Sequence, residues 1–393
     1  MKISQRAQAV DPFFAMEFGK RAAALEAQGH AVIKLNLGEP DFGPPPAVLE
    51  AARMAVDGPL PYTGALGTHT LRAAIAGFYL HEHGLTIAPS RIIVTAGASA
   101  ALLLVTAALV DAGDEVIVGD PSYPCNRQFL SSFGARVKLV GTDAASRFQL
   151  DAASVRANWT ADTKGLMIAT PSNPTGTSVP PLELRALCEW AREHDAWRIV
   201  DEIYLNLGDR DAAGRPPQSV LAVDDGAIVI NSFSKYFGMT GWRLGWAVVP
   251  EAMVPTMERL AQNYYICAST LSQQAALACF TPASLAVCEE RRLAFARRRA
   301  LVLQGLAGIG LPVPVPPDGA FYVYIDVGAT GLGAWEFCER VLDEAHVALT
   351  PGRDFGHVGA ERYVRLSYAA SEEQLNEAIR RLGVFMQGLA VQS

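Results

Sequence analysis

Apolar residues in the middle of the chain form two kinds of run, short β-rich stretches and longer segments with helical spacing. The segments 99–110 and 182–194 are helical, and in the second Leu184, Leu187 and Ala191 share one face. Strands that alternate with helices predict βαβ units, and therefore an α/β fold with a mostly parallel sheet. The predicted strands are 91–95, 115–118, 137–140, 165–169, 197–200, 227–231 and 244–249.

Both ends of the chain differ from this alternating middle part. The first thirty residues predict one amphipathic helix, followed by a proline-rich hinge. Near the other end the pattern predicts a basic helix, a proline run, a strand and a last helix at 372–387. We therefore expect a second, smaller α+β domain built from both termini. The expected division is 1–45 as an N-terminal segment joining the small domain, 46–285 as the large domain and 286–393 as the small C-terminal domain.

The uncharged stretch 92–110 has the length of a membrane span of about 20 residues. Gly97 and Ser99 interrupt it, and Arg91 and Asp111 flank it closely. We expect a strand, a turn and a buried helix here, and no membrane span.

Composition and charge exclude several classes of function. Half of the 393 residues are apolar, which is too many for a disordered chain. The 33 Lys plus Arg and 40 Asp plus Glu give a formal charge of −7, which argues against a nucleic-acid partner. No two of the six cysteines are two residues apart, so we expect no metal site. Sparse cysteines and the lack of a leader pattern predict the cytoplasm.

Parallel sheets bind ligands at the carboxyl ends of their strands, and five loops at such positions carry candidate chemistry. In the first, Ala98 and Ser99 open a helix whose N–H groups and dipole favour an anion. In the next two, prolines on both sides fix Tyr123, a ring that could stack on a flat ligand, and the amide of Asn173. Each loop alone is equally typical of an ordinary turn.

The fourth and fifth loops add charged groups. Asp201 follows an apolar strand, with Tyr204 three residues later, and the pair could hold a cationic ring nitrogen and a phenolate oxygen. Lys235 lies among donors that suit a phosphate, and nearby cations lower the pKa of a lysine, as formation of a Schiff base requires. These donors are Ser232, Ser234 and Arg243.

In this order, the five motifs resemble the class I and II aminotransferases, enzymes of fold type I that depend on pyridoxal 5′-phosphate (PLP). The resemblance runs from Leu-Gly-Glu-Pro-Asp-Phe at 37–42 to Val-Arg-Leu-Ser-Tyr at 364–368. Its highly specific part is Ser-Phe-Ser-Lys at 232–235 followed by Gly-Trp-Arg-Leu-Gly at 241–245. The resemblance implies a large domain with a mostly parallel seven-stranded sheet flanked by helices, plus the smaller α+β domain.

The resemblance also implies a role for each motif residue. Lys235 is the Schiff-base lysine and moves the proton between the substrate Cα and the cofactor. Asp201 keeps the pyridine nitrogen protonated, Asn173 and Tyr204 hydrogen-bond the phenolic oxygen, and Tyr123 stacks on the ring. The implied phosphate contacts are Ala98, Ser99, Ser232, Ser234 and Arg243.

Other residues are assigned by the resemblance to the substrate and to a partner subunit. Arg365 and the backbone of Gly38 contact the substrate α-carboxylate, together with Asn173. Tyr62 resembles the tyrosine that reaches the phosphate of a neighbouring subunit, which implies a homodimer with shared active sites.

The implied reaction is the ping-pong transfer of the α-amino group of an L-amino acid to a 2-oxo acid (EC 2.6.1.-). The donor stays open between neutral or aromatic and aspartate-type. Some aspartate-specific relatives carry lysine where Ser99 stands, but Arg127 could meet a second carboxylate. A PLP-dependent C–S lyase or another PLP enzyme on the same fold is an alternative. Two further hypotheses are a PLP-sensing domain of a transcription regulator and a structural α/β protein.

Overall fold

A seven-stranded sheet lies at the centre of the protein, whose computed structural model describes residues 1–392. The strands in chain order are β1 (Ile33–Lys34), β2 (Ile92–Thr95), β3 (Glu115–Asp120), β4 (Arg136–Gly141), β5 (Thr163–Ala169), β6 (Trp197–Asp201), β7 (Ile228–Ser232), β8 (Gly245–Val248), β9 (Tyr322–Asp326), β10 (Val347–Ala348), β11 (Thr350–Pro351) and β12 (Tyr363–Ser367). The central sheet has the order β2-β8-β7-β6-β5-β3-β4, and only β8 runs antiparallel to its neighbours.

Helices cover both faces of this sheet. They are α1 (Gln5–Gln8), α2 (Phe14–Ala27), α3 (Pro46–Val56), α4 (His69–His83), α5 (Ala98–Leu109), α6 (Pro124–Ser132), α7 (Ala152–Asn158), α8 (Pro181–Glu193), α9 (Val254–Tyr264), α10 (Thr270–Ala276), α11 (Pro282–Gly308), α12 (Ala334–Ala345) and α13 (Glu372–Gln392). Among the residues described, no helix is long and apolar enough to cross a membrane.

Successive residues of one strand belong to different cores. In β2, Ile92 and Val94 pack into one hydrophobic cluster and Ile93 into the other, and all three are fully buried. A sheet covered on both faces needs apolar residues at every position, which explains why its strands are continuous apolar runs. The α/β class and the mostly parallel seven-stranded sheet were predicted correctly.

The strands that precede the five loops end at the same edge of the sheet. Gly245, the first residue of β8, lies opposite Thr95, the last residue of β2, and opposite Ser232, the last residue of β7. Parallel pairing brings the ends of β6, β5 and β3 to the same edge. The loops therefore converge on one place although they are far apart in sequence.

A smaller sheet stands beside the large one. Strands β11, β12 and β9 form an antiparallel sheet, and β1 from the N-terminal part pairs in parallel with β10. This pairing joins the two ends of the chain. The predicted domain boundary between 285 and 286 falls within α11, a continuous helix of 27 residues.

The first thirty residues differ from the predicted single helix. They form two helices, α1 and α2, separated by an extended stretch that contains Pro12. Proline lacks an N–H and disfavours helix at the preceding residue, so Pro12 interrupts the helix before Phe14. The apolar stretch 92–110 forms β2 and α5 as expected.

Candidate functional site

A cavity of about 390 Å³ lies where the loops converge. Twelve of the thirteen residues predicted for the site line it: Gly38, Ala98, Ser99, Tyr123, Asn173, Asp201, Tyr204, Ser232, Ser234, Lys235, Arg243 and Arg365. They come from both sheets and from the N-terminal segment, so the site is formed between the two parts of the chain.

Lys235 follows β7 and extends into this cavity. Its Nζ donates a 2.6 Å hydrogen bond to the backbone oxygen of Gly38. Burial lowers the pKa of the ammonium to about 8, an effect that Glu39 opposes and Arg365 adds to. A lysine with this pKa is partly neutral near physiological pH, as an attacking amine must be.

Asp201 is the last residue of β6 and is 4% exposed. Its carboxylate accepts a 3.1 Å hydrogen bond from the N–H of Ile203. Burial raises its pKa to about 6, while that hydrogen bond and the charge of Lys235 act in the opposite direction. A buried carboxylate of this kind is stabilised when a cationic group binds beside it.

One end of the cavity is built to take an anion. Gly97 precedes α5 with a φ of 89°, and a Cβ there would lie 2.6 Å from Nη2 of Arg243. A Cβ on Gly245 would meet the backbone N of Ala98 at 2.8 Å. The two glycines thus let the helix N-terminus, its free N–H groups and a guanidinium approach the same point, which favours a phosphate.

Two hydroxyls complete this end of the cavity. Ser232 Oγ donates to Ser234 Oγ at 2.9 Å and accepts from the Ser234 N–H at 3.0 Å. Arg243 is held by a 2.9 Å hydrogen bond from its Nη1 to the backbone oxygen of Thr240. The hydrogen bonds between the two serines hold their oxygens close together, and both serines line the cavity with Arg243.

Arg365 lies in β12 and is 1% exposed. It makes no ion pair with any carboxylate among the described residues, and its Nε has no hydrogen-bond partner there. The guanidinium lies 4.6 Å from the ring centre of Tyr322 and 4.9 Å from that of Phe355. An unpaired buried cation is costly, so this position favours an anionic ligand that lies in the cavity.

Tyr322 was missed by the sequence analysis. Its hydroxyl lies 2.7 Å from that of Tyr204, and a Cβ on Gly38 would collide with it. Glu39 and Phe13 also line the cavity and were not predicted for the site. Glu39 accepts a 2.6 Å hydrogen bond from Thr240 Oγ1. The only signal for Tyr322 was its strand pattern, because its neighbours in the site come from distant parts of the chain.

Tyr62 is the one predicted site residue that does not line the cavity. Its side chain is 79% exposed. The preceding residue, Pro61, accepts a 2.6 Å hydrogen bond from Thr270 Oγ1, which fixes the loop. The structure thus separates Tyr62 from the other twelve residues within one chain.

Comparison with known proteins identifies the family to which this arrangement belongs. The family model for aminotransferase class I and II matches residues 30–382. The chain belongs to the class I and II aminotransferases. It is 38% identical over 380 residues to the valine–pyruvate aminotransferase of Mycobacterium tuberculosis, covering 96% of this chain and 97% of that protein. It is also 38% identical over 385 residues to the aspartate/prephenate aminotransferase of Thermus thermophilus, with coverage of 96% and 97%.

Solved structures of class I and II aminotransferases share the fold over nearly the whole chain. An aminotransferase from Mycobacterium tuberculosis superposes with a TM-score of 0.94 at 37% identity, covering 99% of this chain and 100% of that one. The aspartate aminotransferase of Thermus thermophilus with maleate gives a TM-score of 0.92 at 37% identity, covering 98% and 99%. The chain is therefore an aminotransferase of fold type I that acts on amino acids and 2-oxo acids.

Enzymes of this class use PLP, and the residues of the cavity fit that cofactor. The start of α5 and Arg243 offer an anion site, a buried carboxylate suits a cationic ring nitrogen, and an amine of lowered pKa lines the same cavity. The class I and II aminotransferase family of the chain, its reaction type and its cofactor agree with the expectations from the sequence.

Proposed function

We propose that this aminotransferase takes L-amino acids with uncharged side chains as donors. Three cationic side chains line the cavity among the residues described: Lys235, Arg243 and Arg365. Arg243 belongs to the anion site, Lys235 reacts, and Arg365 takes the substrate α-carboxylate. No cation in that lining remains for a second carboxylate, and this is the observation that carries the proposal.

Arg127, which the sequence suggested could bind a second substrate carboxylate, is not placed to do so. Arg127 does not line the cavity, and its Nη2 donates to the backbone oxygen of Asp354 at 3.2 Å. Two apolar side chains line the cavity instead, Leu102 and Phe13, and the ring of Phe13 lies against that of Tyr123. An apolar wall is better suited to an aliphatic or aromatic side chain than to a carboxylate.

Different residues of the chain would hold the cofactor ring, move the proton and bind the substrate. PLP, when bound, withdraws electrons from the bonds to the reacting Cα. Asp201 would hold the proton on the cofactor ring nitrogen. Lys235 would remove the proton from the substrate Cα and deliver a proton to C4′ of the cofactor. Arg365, with Asn173 and the backbone of Gly38, fixes the α-carboxylate so that the Cα–H bond faces the lysine.

We also propose that the active enzyme is a homodimer whose sites are shared. Tyr62 is exposed in a single chain and lies on a loop fixed by Thr270, which is how a residue that serves a neighbouring subunit would be held. The division into 1–45, 46–285 and 286–393 and the cytoplasmic location stay predictions.

A donor panel tests this proposal. The purified enzyme with PLP is assayed with alanine, valine, leucine, phenylalanine, aspartate, glutamate and arginine, using pyruvate or 2-oxoglutarate as acceptor. We expect kcat/KM for the best uncharged donor to exceed that for aspartate by at least tenfold. A preference for aspartate would refute the donor proposal, and release of ammonia and pyruvate from cysteine-type substrates would favour the C–S lyase.

A further inference from the structure

One wall of the cavity includes a residue from outside both sheets. Phe13 precedes α2, and its ring meets that of Tyr123 edge-on, with 6.2 Å between the ring centres. The ring is only partly buried, so neighbouring side chains do not fix its position alone. What holds the backbone at Phe13 therefore decides the shape of this wall.

Helix α2 has no side-chain cap of its own. Phe13 occupies the cap position and cannot accept a hydrogen bond through its side chain. The carboxylate of Asp354 takes over this function from 340 positions away. It accepts from the N–H of Phe14 at 2.9 Å and from the N–H of Ala15 at 3.2 Å, and Asp354 is 1% exposed. A charge at a helix N-terminus that satisfies two N–H groups stabilises that helix start.

The segment that carries Asp354 also contacts the rest of the site. The backbone oxygen of Phe355 accepts a 2.8 Å hydrogen bond from the N–H of Ser122, the residue before Tyr123. The Phe355 ring packs against the guanidinium of Arg365. One short segment thus connects Phe13, Tyr123 and Arg365.

We propose that Asp354 is a positioning residue that holds Phe13 across the side-chain end of the cavity, and that Phe13 selects donors with apolar side chains. This inference rests on the proposed function, because it names the residues that give the donor preference. Asp354 does not touch the substrate and acts through the first turn of α2. Loss of its two hydrogen bonds would let residues 12–15 move away from Tyr123 and open the apolar wall to water.

A double-mutant cycle tests whether Asp354 acts through Phe13. We expect Phe13→Ala to raise KM for leucine or phenylalanine about tenfold and KM for alanine by less, because the alanine side chain is too short to pack against the ring. Asp354→Asn keeps the shape but loses the charge and one acceptor, so it should raise the same KM by about threefold or more. The double variant should match Phe13→Ala alone, because Asp354 has nothing left to position. Additive effects of the two changes would overturn the proposal.

Hydrogen exchange provides a second measurement that does not depend on activity. In the cofactor-free protein, Asp354→Asn should speed exchange of the amides of Phe14 and Ala15 at least tenfold. The matched control is Asp326→Asn, since Asp326 is also a buried carboxylate that accepts from a backbone N–H, that of Gly328, but lies away from the cavity. The control should leave α2 unchanged.

The two measurements distinguish failure of the positioning role of Asp354 from failure of the proposed donor preference. Unchanged exchange in Asp354→Asn would refute the positioning role, whatever the substrate is. Fast exchange together with a donor panel that favours aspartate would support the role of Asp354 in holding the start of α2. It would refute the selection of apolar donors by Phe13.

Discussion

Arg365 donates a 2.8 Å hydrogen bond from its Nη1 to the side-chain oxygen of Asn173, 192 positions earlier in the chain. This contact joins the small sheet to a loop of the large one. It also fixes the orientation of the amide, because the oxygen is taken by the arginine and the NH₂ group is left to donate towards the cavity. Asn173 can therefore serve the phenolic oxygen of the cofactor and the substrate clamp at once.

Replacing Arg365 with lysine should separate charge from geometry. Lysine keeps the positive charge but cannot bind a carboxylate and Asn173 with a planar fork. We expect kcat/KM for the best donor to fall about a hundredfold, as one or two charge-assisted hydrogen bonds are lost. Steady-state kinetics with donor and acceptor measure this, and both should suffer alike since both carry an α-carboxylate. A loss confined to one of them would contradict the assignment.

Lys235→Ala should abolish the reaction. It removes the amine that joins the cofactor and the group that moves the Cα proton, a step for which a positioned side chain contributes about 10²- to 10⁴-fold. The variant should also lose the visible absorption of the lysine-linked cofactor. Lys20→Ala is the control, because Lys20 is an exposed lysine paired only with Glu17. Normal turnover in Lys235→Ala would refute the central assignment.

The sequence predicted that most of these residues lie close together, because many of them follow strands directly. Once β2, β3, β5, β6 and β7 are predicted to be parallel, their ends must share one edge, so Asp201 and Lys235 meet without knowledge of side-chain packing. Tyr322 and Phe13 reach the cavity only through packing of the small sheet and the N-terminal segment on the large one. That packing depends on contacts between residues hundreds of positions apart, which local patterns do not report. The break between α1 and α2 has a local cause, since Pro12 outweighs the apolar spacing around it.

Ser99→Lys tests the donor class by adding a positive charge to the cavity. A lysine at this position would bring a fourth cation into the cavity lining. We expect kcat/KM for aspartate to rise about tenfold and that for the best uncharged donor to fall, because an ion pair replaces a contact with a neutral group. The control Ser99→Ala should change neither preference. An unchanged donor ratio in Ser99→Lys would show that the distal group binds elsewhere.

Shared active sites can be tested by mixing two chains that are defective in different ways. Tyr62→Ala should weaken the binding of PLP, and Lys235→Ala should be inactive. In a mixed dimer, one site combines Lys235 of one chain with Tyr62 of the other and is intact. Random pairing of equal amounts should restore about a quarter of wild-type activity at limiting PLP. Activity no greater than the sum of the separate variants would show that each site is complete within one chain.

The carboxyl group of Glu202 should make the stability of the cofactor-free protein depend on pH. Glu202 is fully buried next to Asp201 and accepts hydrogen bonds from Val220 N–H at 2.6 Å and from Ser219 Oγ at 2.8 Å. Burial raises its pKa from 4.5 to about 7 in spite of these bonds. Between these pH values the native state binds more protons than the unfolded state, so the free energy of unfolding falls as pH rises.

Glu202→Gln removes this titration. Urea unfolding at pH 5 and pH 7 should therefore show a loss of stability in the wild type that is smaller in the variant by about 2 kcal/mol, because pH 7 reaches only the midpoint of the raised titration. Asp201 contributes in the same direction to both proteins, since its pKa is raised to about 6, and largely cancels in the comparison. If both proteins lost the same stability, Glu202 would be ionised across the whole range. Its carboxylate would then stand as a second negative charge beside Asp201, raising the affinity of this end of the cavity for a protonated ring nitrogen.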